Sequence, residues 1–290
     1  MISQTLHKIP LFLESIKFSH SVFALPFALV AMLVAAGGIP GFWTLFWIVV
    51  AVVAARTAAM SFNRLADVYY DARNPRTAGR PLVTGELTER QHQVALILAA
   101  MVFVFAAAML NRTCLYLSPP VLAILLGYSL TKRFTSYSHY VLGLALGLAP
   151  LGAWVAVTES LSLVPVLLSL AVILWVAGFD ILYACQDVEV DRAEKDLHSL
   201  PKRLGVEEAM TLARRSHAAS LLVLFLFWWS AGLGFLSLLG MLGVGALLLR
   251  QHRLVSPRDL GRINAAFFTS NGLISVGFFV LVFLDLVVFG

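Results

Sequence analysis

Two polar stretches in an otherwise apolar chain hold carboxylates at spacings that could do chemistry. The first reads Asn63-Arg64-Leu65-Ala66-Asp67-Val68-Tyr69-Tyr70-Asp71, and the second runs from Asp180 through Tyr183, Ala184 and Asp187 to Asp191. Residues four apart share a helix face. Asn63, Asp67 and Asp71 are therefore expected to form one oxygen-bearing stripe, and Asp187 with Asp191 another. Seven residues deeper along each stripe stand Arg56 and Asp180. Carboxylates so spaced repel unless a cation lies between them. Hard oxygen donors without soft ligands suit Mg²⁺, which takes one or two carboxylates and fills its shell with phosphate oxygens and water. Two facing pairs could hold a diphosphate through bridging metals, neutralising charge on the leaving group as a C–O bond breaks.

Basic residues beside the acids fit the same chemistry. Arg73, Arg76 and Arg80 follow the first stripe, and Lys132 and Arg133 end a later apolar run. Guanidinium forks match phosphate oxygens in pairs, while lysine supplies a point charge. Arg80 and Lys132 are the favoured diphosphate contacts, with Arg76 beside them. Pro75 and Pro81 should stop the helix and fold the basic segment across its mouth. Arg56 lies inside an apolar run, where a cation needs an anion or water. It could pair with Asp180, or it could receive the carboxylate of an aromatic acid, leaving Asp180 to bind a phenol or accept a ring proton. Tyr128, Tyr137, Tyr140 and Tyr183 could steady an allylic cation with a π face. Tyr183, between Asp180 and Asp187, is the favoured one.

The elements that must position these residues are membrane helices. A chain that is 60% hydrophobic and only 13% charged is too poor in charge for a soluble globule. Apolar runs of about 20 residues recur, each long enough to cross a bilayer as a helix. The expected spans are 20–37, 42–66, 92–110, 114–131, 139–157, 163–185, 211–231, 233–250 and 264–289, about nine in all. Leu6, Ile9, Leu13 and Ile16 predict an interfacial helix before them. The whole of 1–290 reads as a single all-α polytopic membrane domain. With the N-terminus in the cytoplasm, all of the 21 Lys and Arg except Arg56 and Arg112 fall on that side, as orientation by basic loops requires. The net charge of +5 is thus a topology signal and gives no support for nucleic acid. Cys114 and Cys185 form no CxxC pair, and the histidines show no zinc spacing.

These two stretches resemble the UbiA superfamily of intramembrane prenyltransferases, and the resemblance covers nearly the whole chain. The first family motif stands as Asn63, Asp67, Asp71 and Arg76-Thr77-Ala78-Gly79-Arg80-Pro81-Leu82; the second stands as Asp180, Tyr183-Ala184, Asp187 and Asp191. The resemblance implies a nine-helix bundle with a central cavity, and Mg²⁺ as cofactor. It implies Asp67, Asp71, Asp187 and Asp191 as metal–diphosphate residues, with Asn63 assisting. The reaction implied is electrophilic alkylation of an aromatic ring by an allylic polyprenyl diphosphate; an open apolar groove between helices could take the isoprenoid tail directly from the membrane lipid. Lys17–Ala28, Asn74–Thr77 and Leu197–Pro201 are similar to the 4-hydroxybenzoate branch, which serves ubiquinone synthesis. That branch includes enzymes of the futalosine route to menaquinone, whose acceptor would be 1,4-dihydroxy-6-naphthoate. The expected location is a bacterial inner membrane with the site facing the cytoplasm. Ala193-Glu194-Lys195-Asp196 departs from the family pattern by about one residue. A transporter is the rival class, but its charges would sit at the midplane on broken helices. A CDP-alcohol phosphotransferase would need an Asp-Gly-x₂-Ala-Arg core, which is absent.

Overall fold

The computed structural model describes residues 2–17, 23–261 and 263–289, with backbone alone at 2–8 and 264–267. The described chain folds into α1 (Ile2–Ser15), α2 (Leu25–Ala36), α3 (Phe42–Asp71), α4 (Glu89–Leu110), α5 (Arg112–Thr131) and α6 (Ser138–Thr158). There follow α7 (Leu163–Ala184), α8 (Val188–Ala193), α9 (Leu200–Leu204), α10 (Val206–Ser230), α11 (Phe235–Leu254) and α12 (Ile263–Phe283). Eight of the helices are long and apolar enough to cross a membrane. The first expected span, 20–37, is α2, apolar but only 12 residues long. The start of that span at 20–22 and Arg262 lie outside the described residues.

Local chemistry sets the helix ends. Thr88 and Gln91 cap α4 with a reciprocal pair of hydrogen bonds. Asn111 accepts from the Cys114 N–H to start α5 and donates to Val155 O at 2.9 Å, which ties α5 to α6. Helix α2 ends at Gly37, whose φ of +62° is open to glycine and strained for other residues.

Helix α3 has 30 residues, about 45 Å at 1.5 Å per residue, which overruns a ~30 Å hydrocarbon core. The sequence places the end of this span near 66, but the helix continues to Asp71. Arg64 lies within this helix and is 5% exposed. Of the spans, α7 is the most buried and lies between α6 and α10. Two glycines let α6 approach it. A Cβ on Gly143 would stand 2.5 Å from Ile173 O, and Ser169 Oγ donates to Gly147 O at 2.7 Å. On the other face, Ser220 Oγ donates to Ala171 O at 2.7 Å. Phe27, Trp175, Phe179 and Phe278 form the aromatic centre of the core around α2, α7 and α12.

The second acidic stretch departs from its expected form. After Ala184 the chain tightens into a 3₁₀ turn at Cys185–Asp187 before α8 begins. Asp187 and Asp191 thus do not share one regular helix face. The tightened turn lets each carboxylate take a different partner, described below.

Candidate active site

On α3 the four-residue spacing brings the first stripe together as expected. Asn63 Nδ2 donates to Asp67 Oδ2 at 2.9 Å, and Lys132 Nζ reaches the same oxygen at 2.8 Å from the end of α5. Asp67 Oδ1 is buried with no hydrogen-bond partner. One turn further on, Asp71 Oδ2 accepts from Arg80 and lies 3.5 Å from Arg64 Nη1. The segment between α3 and α4 then crosses to the second stretch. Arg76 binds Asp187 with both arms of its fork, Nε to Oδ1 at 2.9 Å and Nη2 to Oδ2 at 2.6 Å. Asn74 Nδ2 adds a third bond to Asp187, at 2.9 Å. Arg76 Nη1 also donates to the Tyr183 hydroxyl at 3.2 Å. Burial pulls the Arg76 guanidinium down, but its bonds to Asp187 and the charges around it outweigh this, and its pKa rises above the usual value. One segment, 74–80, therefore joins the acids at the tips of α3 and α7.

Part of this network lines a polar cavity of about 740 Å³. Arg56, Asn63, Asp67, Arg76, Arg80, Lys132, Asp180 and Tyr183 all line it. A second cavity of about 320 Å³, almost wholly apolar, is walled by α3, α5 and α6. Arg56, Met60, Tyr128, Leu142 and Leu146 line both, so they mark where the two meet.

Some expected contacts are replaced by others. Arg56 does not pair with Asp180: its Nη2 donates to Lys17 O at 3.0 Å, and its Nε is buried without a partner. Asp180 is instead 2.7 Å from His139 Nδ1. Asp191, like Asp71 and Asp187, is not among the residues that line the polar cavity, and it accepts from Ser199 Oγ at 2.7 Å. Tyr140 bonds Ser216 at 2.8 Å, and Tyr137 is exposed. The divergent Ala193–Asp196 segment has a partner of its own, since Glu194 meets Arg73 at 3.6 Å and draws the two loops together. Sequence reasoning missed Arg64, Asn74, His139 and Ser199 as members of this network. Arg64 alone carried a signal, being seven residues from Asp71 on the same helix face.

The donor set fits a hard divalent cation. Its oxygens are carboxylates, and Asp67 Oδ1 is a buried anionic atom that lacks a partner. Among the described residues, no group of three or more His, Cys, Asp or Glu is close enough to share a metal. Arg76, Arg80 and Lys132 instead neutralise Asp187, Asp71 and Asp67 directly.

Fold and site together define a polytopic membrane protein in which a charged cavity opens into an apolar one, an arrangement suited to a lipid with an anionic head. The description "UbiA prenyltransferase family" matches residues 24–273. The chain is 31% identical over 249 residues to a 4-hydroxybenzoate octaprenyltransferase of Cronobacter sakazakii, covering 83% of this chain and 82% of that one. It is 32% identical over 249 residues to the enzyme of that name from Aeromonas salmonicida, covering 83% of each. The apo structure of a UbiA homolog from Aeropyrum pernix K1 superposes with a TM-score of 0.84 at 32% identity, covering 92% of this chain and 98% of that one. A UbiA homolog from Archaeoglobus fulgidus, bound to DMAPP and Mg²⁺, shares the fold with a TM-score of 0.70 at 18% identity, covering 95% and 98%. The chain belongs to the UbiA prenyltransferase family. It is an integral, multi-pass membrane prenyltransferase.

Proposed function

We propose that this enzyme transfers a polyprenyl group from polyprenyl diphosphate to an aromatic carboxylate of the 4-hydroxybenzoate type, in quinone biosynthesis. The observation that carries the reading is the junction of the two cavities, with paired acids and cations on one side, an apolar cavity on the other and Arg56 between them. Residues 1–290 act as a single domain, set in a bacterial inner membrane with the polar cavity open to the cytoplasm.

In this reading Asp67, Asp71, Asp187 and Asp191 hold Mg²⁺, with Asn63 assisting. Bound there, the metal supplies Lewis-acid stabilisation of the charge on the departing diphosphate. Arg76, Arg80 and Lys132 exchange their carboxylate partners for diphosphate oxygens. The apolar cavity takes the isoprenoid tail from the lipid, and the Tyr183 ring faces the allylic carbon as the C–O bond breaks. Arg56 binds the acceptor carboxylate at the junction. A ring carbon forms the new C–C bond, the diphosphate leaves with the electron pair, and Asp180 takes the ring proton. Support comes from the relatives named above and from the Mg²⁺ and DMAPP bound by the Archaeoglobus homolog.

The test is turnover by purified enzyme of one labelled polyprenyl diphosphate with 4-hydroxybenzoate or 1,4-dihydroxy-6-naphthoate. Prenylated acid should form with Mg²⁺ and fall to background with EDTA. Asp67→Ala and Asp187→Ala should each lose at least ~100-fold in turnover while remaining folded. Product with the naphthoate alone would move the acceptor to the menaquinone route, and product with neither acid would refute the reading.

A further inference from the structure

His139 opens α6 and Asp180 lies in the last two turns of α7, and the close approach of these helices at Gly143 brings the two side chains together. His139 Nδ1 is 2.7 Å from Asp180 Oδ2. The other ring nitrogen, Nε2, accepts the backbone N–H of Leu200 at 3.4 Å. A backbone N–H can only donate, so Nε2 is the unprotonated nitrogen and the ring proton sits on Nδ1, aimed at the carboxylate. The histidine is buried, whereas the Asp180 side chain is 26% exposed and lines the polar cavity.

We infer that His139 is a positioning residue for the prenyl transfer: it engages Asp180 Oδ2, so that Oδ1 is presented to the acceptor, and it ties that orientation to segment 197–204. The inference rests on the role proposed above for Asp180. An unrestrained carboxylate at a cavity wall samples several rotamers, and a fixed N–H donor removes that freedom before the acceptor arrives. The segment on the far side of the ring touches the site twice more. His198 N donates to Lys132 O at 2.7 Å, next to the lysine that holds Asp67. Ser199 Oγ donates to Asp191 Oδ2 at 2.7 Å. A single short stretch thus sets the diphosphate end through Lys132 and Asp191, and the acceptor end through His139.

Two amides separate positioning from simple packing. In His139→Asn the side-chain NH₂ stands near the Nδ1 position and keeps a donor for Asp180. In His139→Gln the amide oxygen stands near the Nε2 position and keeps the acceptor for Leu200, but the donor to Asp180 is lost. With full-length enzyme, Mg²⁺, a polyprenyl diphosphate and 4-hydroxybenzoate, His139→Gln should lose at least about tenfold in kcat. Its KM for the diphosphate should stay within about twofold, and His139→Asn should recover kcat to within about threefold of wild type. Equal losses in the two variants, losses that track their melting temperatures, or an unimpaired His139→Gln would each overturn the inference. Asp180→Asn, assayed alongside, tells the two levels apart. If it is inactive while His139→Gln is normal, the positioning role alone fails; if it turns over normally, the role of Asp180 fails and the inference with it.

Discussion

Arg56 shows how one side chain can report what a cavity is for. It lies within α3, a membrane span, with its Nε buried and unpartnered, and among the described residues its hydrogen bond goes to the neutral carbonyl of Lys17. A buried cation costs several kcal/mol unless an anion compensates it, and a carbonyl is a weak substitute. A substrate carboxylate would complete the set. Arg56→Ala is therefore expected to raise KM for the aromatic acid by about 10- to 100-fold, the worth of a charge-assisted hydrogen bond. KM for the polyprenyl diphosphate should barely move. A phenol without the carboxylate should be used equally by wild type and variant; an equal handicap with both acceptors would make Arg56 structural. At this scale, the members of the polar cluster were legible because four-residue spacing puts Asn63, Asp67 and Asp71 on one face. Their partners were not. Whether Arg56 meets Asp180 or a backbone carbonyl depends on how α1, α3 and α7 are placed, and nothing local to either residue encodes that. His139 carried no signal at all, since a lone polar residue at the start of a span is an ordinary occurrence.

Among the elements, the packing of α6 on α7 matters most for the site. Gly143 stands one turn from His139, where a Cβ would come within 2.5 Å of the Ile173 carbonyl oxygen. Gly143→Val would force the helices apart at the point that sets the distance from His139 to Asp180. Overpacking of this kind costs about 1–3 kcal/mol, seen as a lower melting temperature in detergent. Turnover should fall with it, and a variant with wild-type melting and turnover would show that the contact is slack. Helix existence and type were plain from the apolar runs, because a segment crossing lipid must satisfy its own backbone. Where helices stop was less plain. The 3₁₀ turn at Cys185–Asp187 breaks the expected four-residue stripe, and the partners that hold Asp187 there, Asn74 and Arg76, come from a distant segment.

At the scale of the whole molecule, an alternating path through the spans puts the 72–88 segment and the 159–162 turn on opposite faces. Thr84 and Ser160 are both exposed, and the native Cys114 and Cys185 are buried. Cysteine placed at Thr84 should be labelled by an impermeant thiol reagent only from the cytoplasmic face, and at Ser160 only from the other. The same face for both would break the topology. The division of the molecule into a charged end and a greasy middle was readable from composition, yet the way the charges are stored was not. Three carboxylates are each matched with a cation of the chain itself. On the proposed chemistry, a lone Mg²⁺ would have to strip arginine from the acids and leave it stranded, and a lone diphosphate would strand the acids. When the two arrive together every displaced charge finds a new counterpart, so the resting enzyme discriminates against either solitary ion and admits them as a pair.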